Sequence, residues 1–153
     1  MKTGDTVPDF TAKDQHGEDV RFSDLLAAGP VVLFFYPKAM TTGCTKESCH
    51  FRDLAGEFAE IGAQRVGISA DSVDRQAAFD EKHDLGYPLL SDPDRSIAQI
   101  FGVKRPGPLL NKRVTFVIDR DGTVLDRISS ELSMDVHADR ALEVLRGAAE
   151  RSP

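Results

Sequence analysis

Residues 31–49, VVLFFYPKAMTTGCTKESC, join the most apolar run of the chain to its only two cysteines, Cys44 and Cys49. The apolar run is continuous and rich in β-branched and aromatic residues, which is typical of a strand buried on both faces of a sheet. Apolar residues then recur at positions i, i+3, i+4 and i+7, which predicts an amphipathic helix over about 43–61. The residues of this apolar face are Phe51, Leu54, Ala55 and Phe58. Cys44 is therefore expected where a buried strand gives way to the start of a long helix.

Strand and helix patterns alternate on both sides of this segment. The other predicted elements are an N-terminal hairpin turning at 15–17, a short helix capped near Ser23, a strand at 64–69, a helix capped by Asp71 or Ser72, a short strand within 87–92, a short helix at 96–101, a hairpin turning at Asp121 and Gly122, and a last helix over about 136–148. The order predicts an α/β fold, with a mixed central sheet, helices on both of its faces and an N-terminal hairpin.

Composition indicates one globular domain over residues 1–153, with 41% hydrophobic and 29% charged residues. The net charge is −6, from 19 Lys and Arg against 25 Asp and Glu. A mildly acidic surface argues against nucleic acid or an anionic membrane as the main partner. The first ten residues lack the apolar stretch of a secretion signal, so we expect a cytoplasmic protein with reduced thiols.

The two cysteines are expected to differ in reactivity. The first turn of a helix has unpaired N–H groups and the positive end of the helix dipole, which together stabilise a thiolate. Cys44 is placed there, whereas Cys49 falls in the body of the same helix. Residues five apart on a helix have Cα atoms about 8.6 Å apart, and a disulfide spans at most about 6.8 Å. The two thiols can therefore join only if the start of the helix unwinds.

The chain resembles the peroxiredoxins in three segments. Pro37, Thr41 and Cys44 form P-x-x-x-T-x-x-C, the active-site signature of that family, and residues 35–53 are similar to its peroxiredoxin Q, or bacterioferritin comigratory protein, branch. KRVTFVIDRDG resembles the later strand that carries the family's arginine, here Arg113, and DTVPDFTAKDQHGEDVRFSDL resembles its N-terminal hairpin. The resemblance covers nearly the whole chain and implies a thioredoxin-like fold.

The resemblance also implies a reaction. Cys44 would attack hydrogen peroxide or an organic hydroperoxide and become a sulfenic acid. Cys49 would then condense with it into an intramolecular disulfide, which thioredoxin or a similar thiol reductant reopens. Because the disulfide forms within one chain, a monomer is expected, and no cofactor is implied.

Four further residues receive roles from the resemblance. Thr41 would hydrogen-bond the thiolate and the peroxide, Arg113 would hold both, Pro37 would shield the sulfur from water, and Glu47 would orient the arginine. Such donors are needed, because a thiol of lower pKa gains thiolate but loses nucleophilicity, so much of the rate must come from groups aimed at the peroxide oxygens.

The loop before Cys44 departs from the family pattern. Near relatives usually carry KDDTPGC where this chain has KAMTTGC, so Ala39 and Met40 replace two acids and Thr42 replaces a proline. These changes predict a less restrained loop with a more apolar rim, which bears on substrate range and on the ease of unwinding.

Each site residue has a simpler structural interpretation. The simpler roles are an inert buried thiol for Cys44, a helix-core residue for Cys49, an N-cap for Thr41, a strand end for Pro37, a first-turn acid for Glu47 and a solvated strand-edge charge for Arg113. The histidines, at positions 16, 50, 83 and 137, form no spaced cluster, and most are expected at the surface. Zinc at Cys44, Cys49 and His50 would lack a fourth ligand, so no metal is expected.

The sequence is compatible with two other functions. A general thiol–disulfide oxidoreductase would use two cysteines, but the C-x-x-C spacing of that class is absent. A redox-dependent binding or sensor protein would exploit the unwinding that the disulfide requires.

Overall fold

The computed structural model describes residues 1–107 and 109–151, with side chains described through residue 148. Pro108, Ser152 and Pro153, which belong to the predicted domain 1–153, lie outside the described residues. In chain order the elements are β1 (Thr11–Lys13), β2 (Asp19–Arg21), α1 (Phe22–Ala28), β3 (Val31–Phe35), α2 (Thr42–Asp53), α3 (Ala55–Glu60), β4 (Gln64–Ser69), α4 (Val73–His83), β5 (Leu89–Ser91), α5 (Ser96–Phe101), β6 (Val114–Ile118), β7 (Val124–Ser129) and α6 (Asp135–Arg151).

Within the described ranges these strands form one seven-stranded sheet in the order β2-β1-β5-β4-β3-β6-β7. β3, β4 and β5 are parallel, β6 lies antiparallel to β3, and β1 and β2 form the N-terminal hairpin. The predicted mixed sheet and hairpin are confirmed.

The central strand β3 is buried on both faces, as its apolar run predicts. Val31, Leu33 and Phe35 pack on one face with residues of α1 and α5. The alternate residues Val32 and Phe34 pack on the other face with residues of α2, α3, α4 and α6. Helices therefore cover both faces, and the long helix with the two cysteines lies on the second.

The prediction of a single helix over 43–61 is wrong, because the structure has two helices, α2 and α3, separated at Leu54. The guanidinium of Arg65, on β4, donates to the carbonyl of Phe51 at 2.9 Å. That carbonyl would otherwise accept the amide of Ala55, so a tertiary contact competes with the helical hydrogen bond. Ala55 is consequently exposed rather than part of the apolar face.

Of two predicted N-terminal helix caps, one is confirmed and the other is wrong. Ser72 caps α4, accepting a hydrogen bond from the amide of Arg75 at 3.2 Å. The cap predicted near Ser23 is wrong, since α1 begins at Phe22 and Ser23 lies in its first turn. The carboxylate of Asp9 caps that turn instead, accepting from the Ser23 amide at 2.8 Å and from its hydroxyl at 3.0 Å.

The remaining predicted elements are confirmed as β4, β5, α5, the β6–β7 hairpin and α6, which extends beyond the predicted 136–148. Gly122 takes a positive φ of 85° in the hairpin turn, a conformation that favours glycine. No helix in the described part of the chain combines the length and the apolar character needed to cross a bilayer.

Candidate active site

Cys44 lies just beyond the carboxyl end of β3, in the first turn of α2. The turn begins after Thr41, whose extended backbone (φ −82°, ψ 156°) makes it the N-cap. Cys44 is the third helical residue and is fully buried. The amides of this turn have no intrahelical acceptors, so the positive end of the helix dipole lies at the sulfur, as predicted.

Arg113 reaches Cys44 from the neighbouring strand. It precedes β6, whose first residue, Val114, pairs with Phe35 at the end of β3. Its Nη2 donates to Cys44 Sγ at 3.2 Å, and the residue is only 6% exposed. The interpretation of Arg113 as a solvated strand-edge charge is therefore wrong, and its guanidinium is a fixed positive group against the sulfur.

Glu47 binds the other edge of the same guanidinium. Arg113 Nη1 donates to Glu47 Oε1 at 2.8 Å, and the Glu47 side chain is fully buried. Burial raises the pKa of Glu47 to about 8, although the charge of Arg113 opposes that rise. Glu47 is the sixth residue of α2, beyond the first turn, so its simpler interpretation as a first-turn acid is wrong as well.

Thr41 and Pro37 flank the site in the loop between β3 and α2. The hydroxyl of Thr41 donates to the carbonyl of Lys38 at 2.8 Å, and therefore not to Cys44. Thr41 occupies the N-cap position without a side-chain cap hydrogen bond, so its hydroxyl is free of the helix. Pro37 is half-buried and follows the last buried aromatic residue of the strand segment, Tyr36.

Cys49 lies in the same continuous helix as Cys44, and both thiols are free. It is half-buried and packs against the core on the sheet face that α2, α3, α4 and α6 cover. Tyr87 anchors this part of the helix, since its hydroxyl donates to the carbonyl of Ser48 at 2.7 Å. The helical spacing that forbids a disulfide without unwinding is therefore present in the structure.

Comparison with known proteins places these residues in a family. The AhpC/TSA family profile matches residues 3–127. The chain belongs to the AhpC/TSA family. The crystal structure of peroxidoxin BcpB from Mycobacterium tuberculosis superposes with a TM-score of 0.94 at 62% identity, covering 96% of this chain and 97% of that one.

Two further relatives support the same assignment. Peroxiredoxin Bcp of Bacillus subtilis is 37% identical over 157 residues, covering 99% of each chain. The bacterioferritin comigratory protein of Xanthomonas campestris superposes with a TM-score of 0.84 at 29% identity, covering 92% of each chain. The peroxiredoxin resemblance, the thioredoxin-like fold and the thiol-dependent peroxidase class are confirmed.

The unusual loop of this peroxiredoxin is hydrogen-bonded at Ala39 to two residues at the start of α4 and just before it. Ala39 is buried, its amide donates to Asp71 Oδ2 at 2.7 Å, and its carbonyl accepts from Arg75 Nη2 at 3.2 Å. Arg75 also pairs with Asp71 at 3.0 Å. The loop is thus restrained at Ala39, while its restraint relative to that in near relatives stays a prediction. Met40 has φ 69° and is 38% exposed, which is compatible with the predicted apolar rim.

Sequence reasoning missed Glu131 and Gly43. Glu131 Oε1 accepts from the backbone amide of Arg113 at 2.9 Å and from Arg105 at 3.0 Å, so it fixes the main chain under the Arg113 guanidinium. A Cβ at Gly43 would lie 3.3 Å from Arg113 Nη2, so the glycine leaves room for the arginine. Gly43 directly precedes Cys44 in the segment that resembles the family, so its position could have drawn attention to it. Glu131 lies in a polar loop whose sequence has no pattern that indicates a role.

The expectation that most histidines lie at the surface is wrong for His137, which is fully buried beside Glu47. His16 is exposed, and His50 and His83 are half-buried. His50 Nε2 contacts Asp139 Oδ1 of α6 at 2.8 Å. Among the described residues, no group of three or more His, Cys, Asp or Glu side chains is placed to hold a metal.

The raised pKa of Glu47 predicts a pH-dependent stability. Between pH 4.5 and about 8 the folded chain keeps a proton on Glu47 that the unfolded chain releases. The stabilisation is therefore complete below pH 4.5 and is lost as the pH rises towards 8, by about 5 kcal/mol over that window. Glu47→Gln, which cannot ionise, should remove this slope, as measured by denaturant unfolding of both proteins across the window.

Burial lowers the pKa of His137, and this acts in the opposite direction, since its neutral form adds stability as the pH rises towards 6.5. His137 is present in both proteins, so its contribution largely cancels in the difference. Parallel stability curves for wild type and Glu47→Gln would contradict the prediction.

Proposed function

We propose that this peroxiredoxin reduces hydroperoxides through attack by the Cys44 thiolate. The observation that carries the proposal is Arg113 Nη2 at 3.2 Å from a buried Cys44 Sγ in the first turn of a helix. The thiolate attacks the terminal peroxide oxygen, so an S–O bond forms and the O–O bond breaks. The leaving oxygen takes up a proton as water or an alcohol, and Cys44 becomes a sulfenic acid.

Several donors converge where negative charge develops in this step. The Arg113 guanidinium and the first-turn amides of α2 face the sulfur, and a peroxide bound there would receive their hydrogen bonds. Thr41 would add its hydroxyl after giving up its hydrogen bond to the Lys38 carbonyl. Pro37 would limit the access of water from the loop, and Glu47 would hold Arg113 in place.

Cys49 is proposed to resolve the sulfenic acid. Its thiol attacks Cys44, the S–O bond breaks with loss of water, and an intramolecular disulfide forms once the start of α2 unwinds. Thioredoxin or a similar dithiol supplies the two electrons that reopen the bond. An unwound helix start also brings the disulfide to the surface, where a protein reductant can reach it.

The substrate class is proposed to include organic hydroperoxides as well as hydrogen peroxide. The X. campestris relative is described by its alkyl peroxide reduction activity, and the exposed Met40 gives this site an apolar rim. The whole reaction uses one chain, so we propose a monomer, folded as one domain over residues 1–153 and acting in the cytoplasm.

The decisive experiment compares single-turnover and steady-state kinetics of Cys49→Ser. Oxidation of Cys44 by one equivalent of peroxide should remain within about twofold of wild type, whereas thioredoxin-dependent turnover should fall at least about 20-fold, because only recycling needs Cys49. Mass spectrometry of the oxidised wild-type chain should find one Cys44–Cys49 disulfide.

Ser48→Ala is the matched control, since Ser48 lies beside Cys49 and its buried hydroxyl has no partner among the described residues. That variant should cycle normally. Normal cycling by Cys49→Ser, or a disulfide found only between chains, would overturn the resolving role.

A further inference from the structure

Tyr87, which has no role in the peroxide step, fixes the peptide bond that precedes Cys49. Its hydroxyl donates to the carbonyl of Ser48 at 2.7 Å, and the residue is only 5% exposed. That carbonyl and the amide nitrogen of Cys49 belong to the same planar peptide unit. Burial raises the pKa of Tyr87 above its ordinary value, so the hydroxyl keeps its proton and remains a donor.

The Tyr87 side chain is held by parts of the chain other than α2. Its ring lies edge-on to Phe34 of the central strand β3, with centroids 5.8 Å apart and planes at 69°. The guanidinium of Arg65, on β4, lies 5.0 Å from the centre of the same ring. Gln15 Nε2 donates to the Tyr87 carbonyl at 3.0 Å. None of these three contacts involves α2, so the hydroxyl keeps its place whether or not that helix is intact.

The hydrogen bond from Tyr87 needs no helical geometry either. A carbonyl oxygen can accept two hydrogen bonds. In an α-helix the Ser48 carbonyl accepts the amide four residues on, that of Arg52, and the Tyr87 hydroxyl takes the second position. Unwinding of the residues before Ser48 breaks the hydrogen bonds of the first turns of α2 but leaves this one intact.

The contact that holds Cys44, in contrast, changes during the reaction. Arg113 Nη2 donates to Cys44 Sγ at 3.2 Å, and a hydrogen bond to a thiolate is strengthened by its charge. Conversion of the thiolate into a sulfenic acid removes that charge. Oxidation therefore weakens the attachment of Cys44 and leaves the attachment of the Ser48–Cys49 peptide as it was.

We propose that Tyr87 is a positioning residue for the resolving step, whose hydroxyl keeps the Ser48–Cys49 peptide in place while oxidised Cys44 moves towards it. The Cys49 sulfur then attacks the Cys44 sulfur, so the S–S bond forms and the S–O bond breaks. The hydroxyl of the sulfenic acid leaves as water with the proton of the Cys49 thiol. Tyr87 exchanges no bond in this step. The inference rests on the proposed resolving role of Cys49.

The test is Tyr87→Phe, which removes the hydroxyl and keeps the ring. Oxidation of Cys44 by one equivalent of peroxide should stay within about twofold of wild type, because the contacts of Arg113 are unchanged. A 1 Å misplacement costs about 100-fold, so the smaller freedom that Cys49 gains should slow disulfide formation about tenfold. Quenched-flow mass spectrometry, which separates thiol, sulfenic acid and disulfide, measures both steps.

The other tyrosine of the chain provides the matched control, since the sequence contains only two. Tyr36 is fully buried, and its hydroxyl donates to Gln76 of α4 and not to α2. Tyr36→Phe removes a buried hydroxyl in the same way and should leave both rates within about twofold of wild type. Equal slowing of disulfide formation in the two variants would overturn the proposal. So would a disulfide that forms in Tyr87→Phe as fast as in wild type, or faster.

A second measurement needs no peroxide, because diamide oxidises thiols directly to the disulfide. Denaturant unfolding is compared for the reduced and the diamide-oxidised proteins. Tyr87→Phe should raise the unfolding equilibrium constant about fivefold in both redox forms, since the lost hydrogen bond is present in both. A destabilisation confined to the reduced form would show that the hydrogen bond breaks on oxidation, and it would overturn the proposal.

The two oxidants also separate this inference from the proposed function. If neither peroxide nor diamide yields a Cys44–Cys49 disulfide, the resolving role of Cys49 is refuted and the inference with it. If the wild-type disulfide forms with both oxidants and Tyr87→Phe behaves as wild type, only the role of Tyr87 is refuted.

Discussion

Replacing Cys44 by serine should abolish peroxide reduction, to below about one thousandth of the wild-type rate. A serine hydroxyl stays protonated at neutral pH and forms no sulfenic acid, so the donors around it have no nucleophile to assist. The measurement is stopped-flow consumption of hydrogen peroxide and of an organic hydroperoxide, with thioredoxin as the electron donor.

Serine is nearly the size of cysteine, and its oxygen can accept the hydrogen bond from Arg113 that Sγ accepts now. Cys44→Ser should therefore fold normally, and its unfolding curve is the control. Residual turnover above the background rate in a folded Cys44→Ser protein would show that the nucleophile lies elsewhere.

Arg113→Gln should lower the rate of Cys44 oxidation by about 100- to 1,000-fold, the usual cost of removing a donor at a site of developing charge. It should also lower the free energy of unfolding by about 3–5 kcal/mol at high pH, because Glu47 then lies buried as an unpaired carboxylate. The stability loss should shrink below about pH 8, where the Glu47 carboxyl is protonated and neutral.

The double variant with Arg113→Gln and Glu47→Gln separates these two effects. Two neutral amides can hydrogen-bond each other, so stability should recover while the oxidation rate stays low. Denaturant unfolding and single-turnover kinetics of the three variants measure both quantities. An Arg113→Gln protein that oxidises as fast as wild type would remove Arg113 from the mechanism, and recovery of rate in the double variant would do the same.

The sequence predicted those parts of the fold and site that depend on local patterns. The apolar run of β3 and the helix start at Cys44 both follow from residues adjacent in the chain. The direction of Arg113 did not, because β6 is buried on both faces and shows no alternation. Only its pairing with β3 places the arginine over the sulfur.

The sequence predictions are wrong where a side chain far away in the chain makes a contact that overrides the local pattern. The break at Leu54 depends on Arg65 binding the Phe51 carbonyl, and periodicity cannot reveal that contact. His137 has helical surroundings that do not mark it as buried, and its partners come from a strand and a turn. Polar contacts of this kind join residues far apart in the chain, so a single sequence carries no local signal for them.

The break at Leu54 and the anchor at Ala39 together set the limits of any local opening. At one end, the Ala39 backbone is hydrogen-bonded to Asp71 and Arg75. At the other end, just before the break, Phe51 stacks on Phe34 of the central strand with ring centroids 4.2 Å apart. We expect the segment between these two fixed points, which contains both cysteines, to open as a small unit while the sheet stays closed. If the proposed disulfide forms, the conformational entropy lost when this segment refolds in each cycle is that of a few turns of helix and not that of the whole domain.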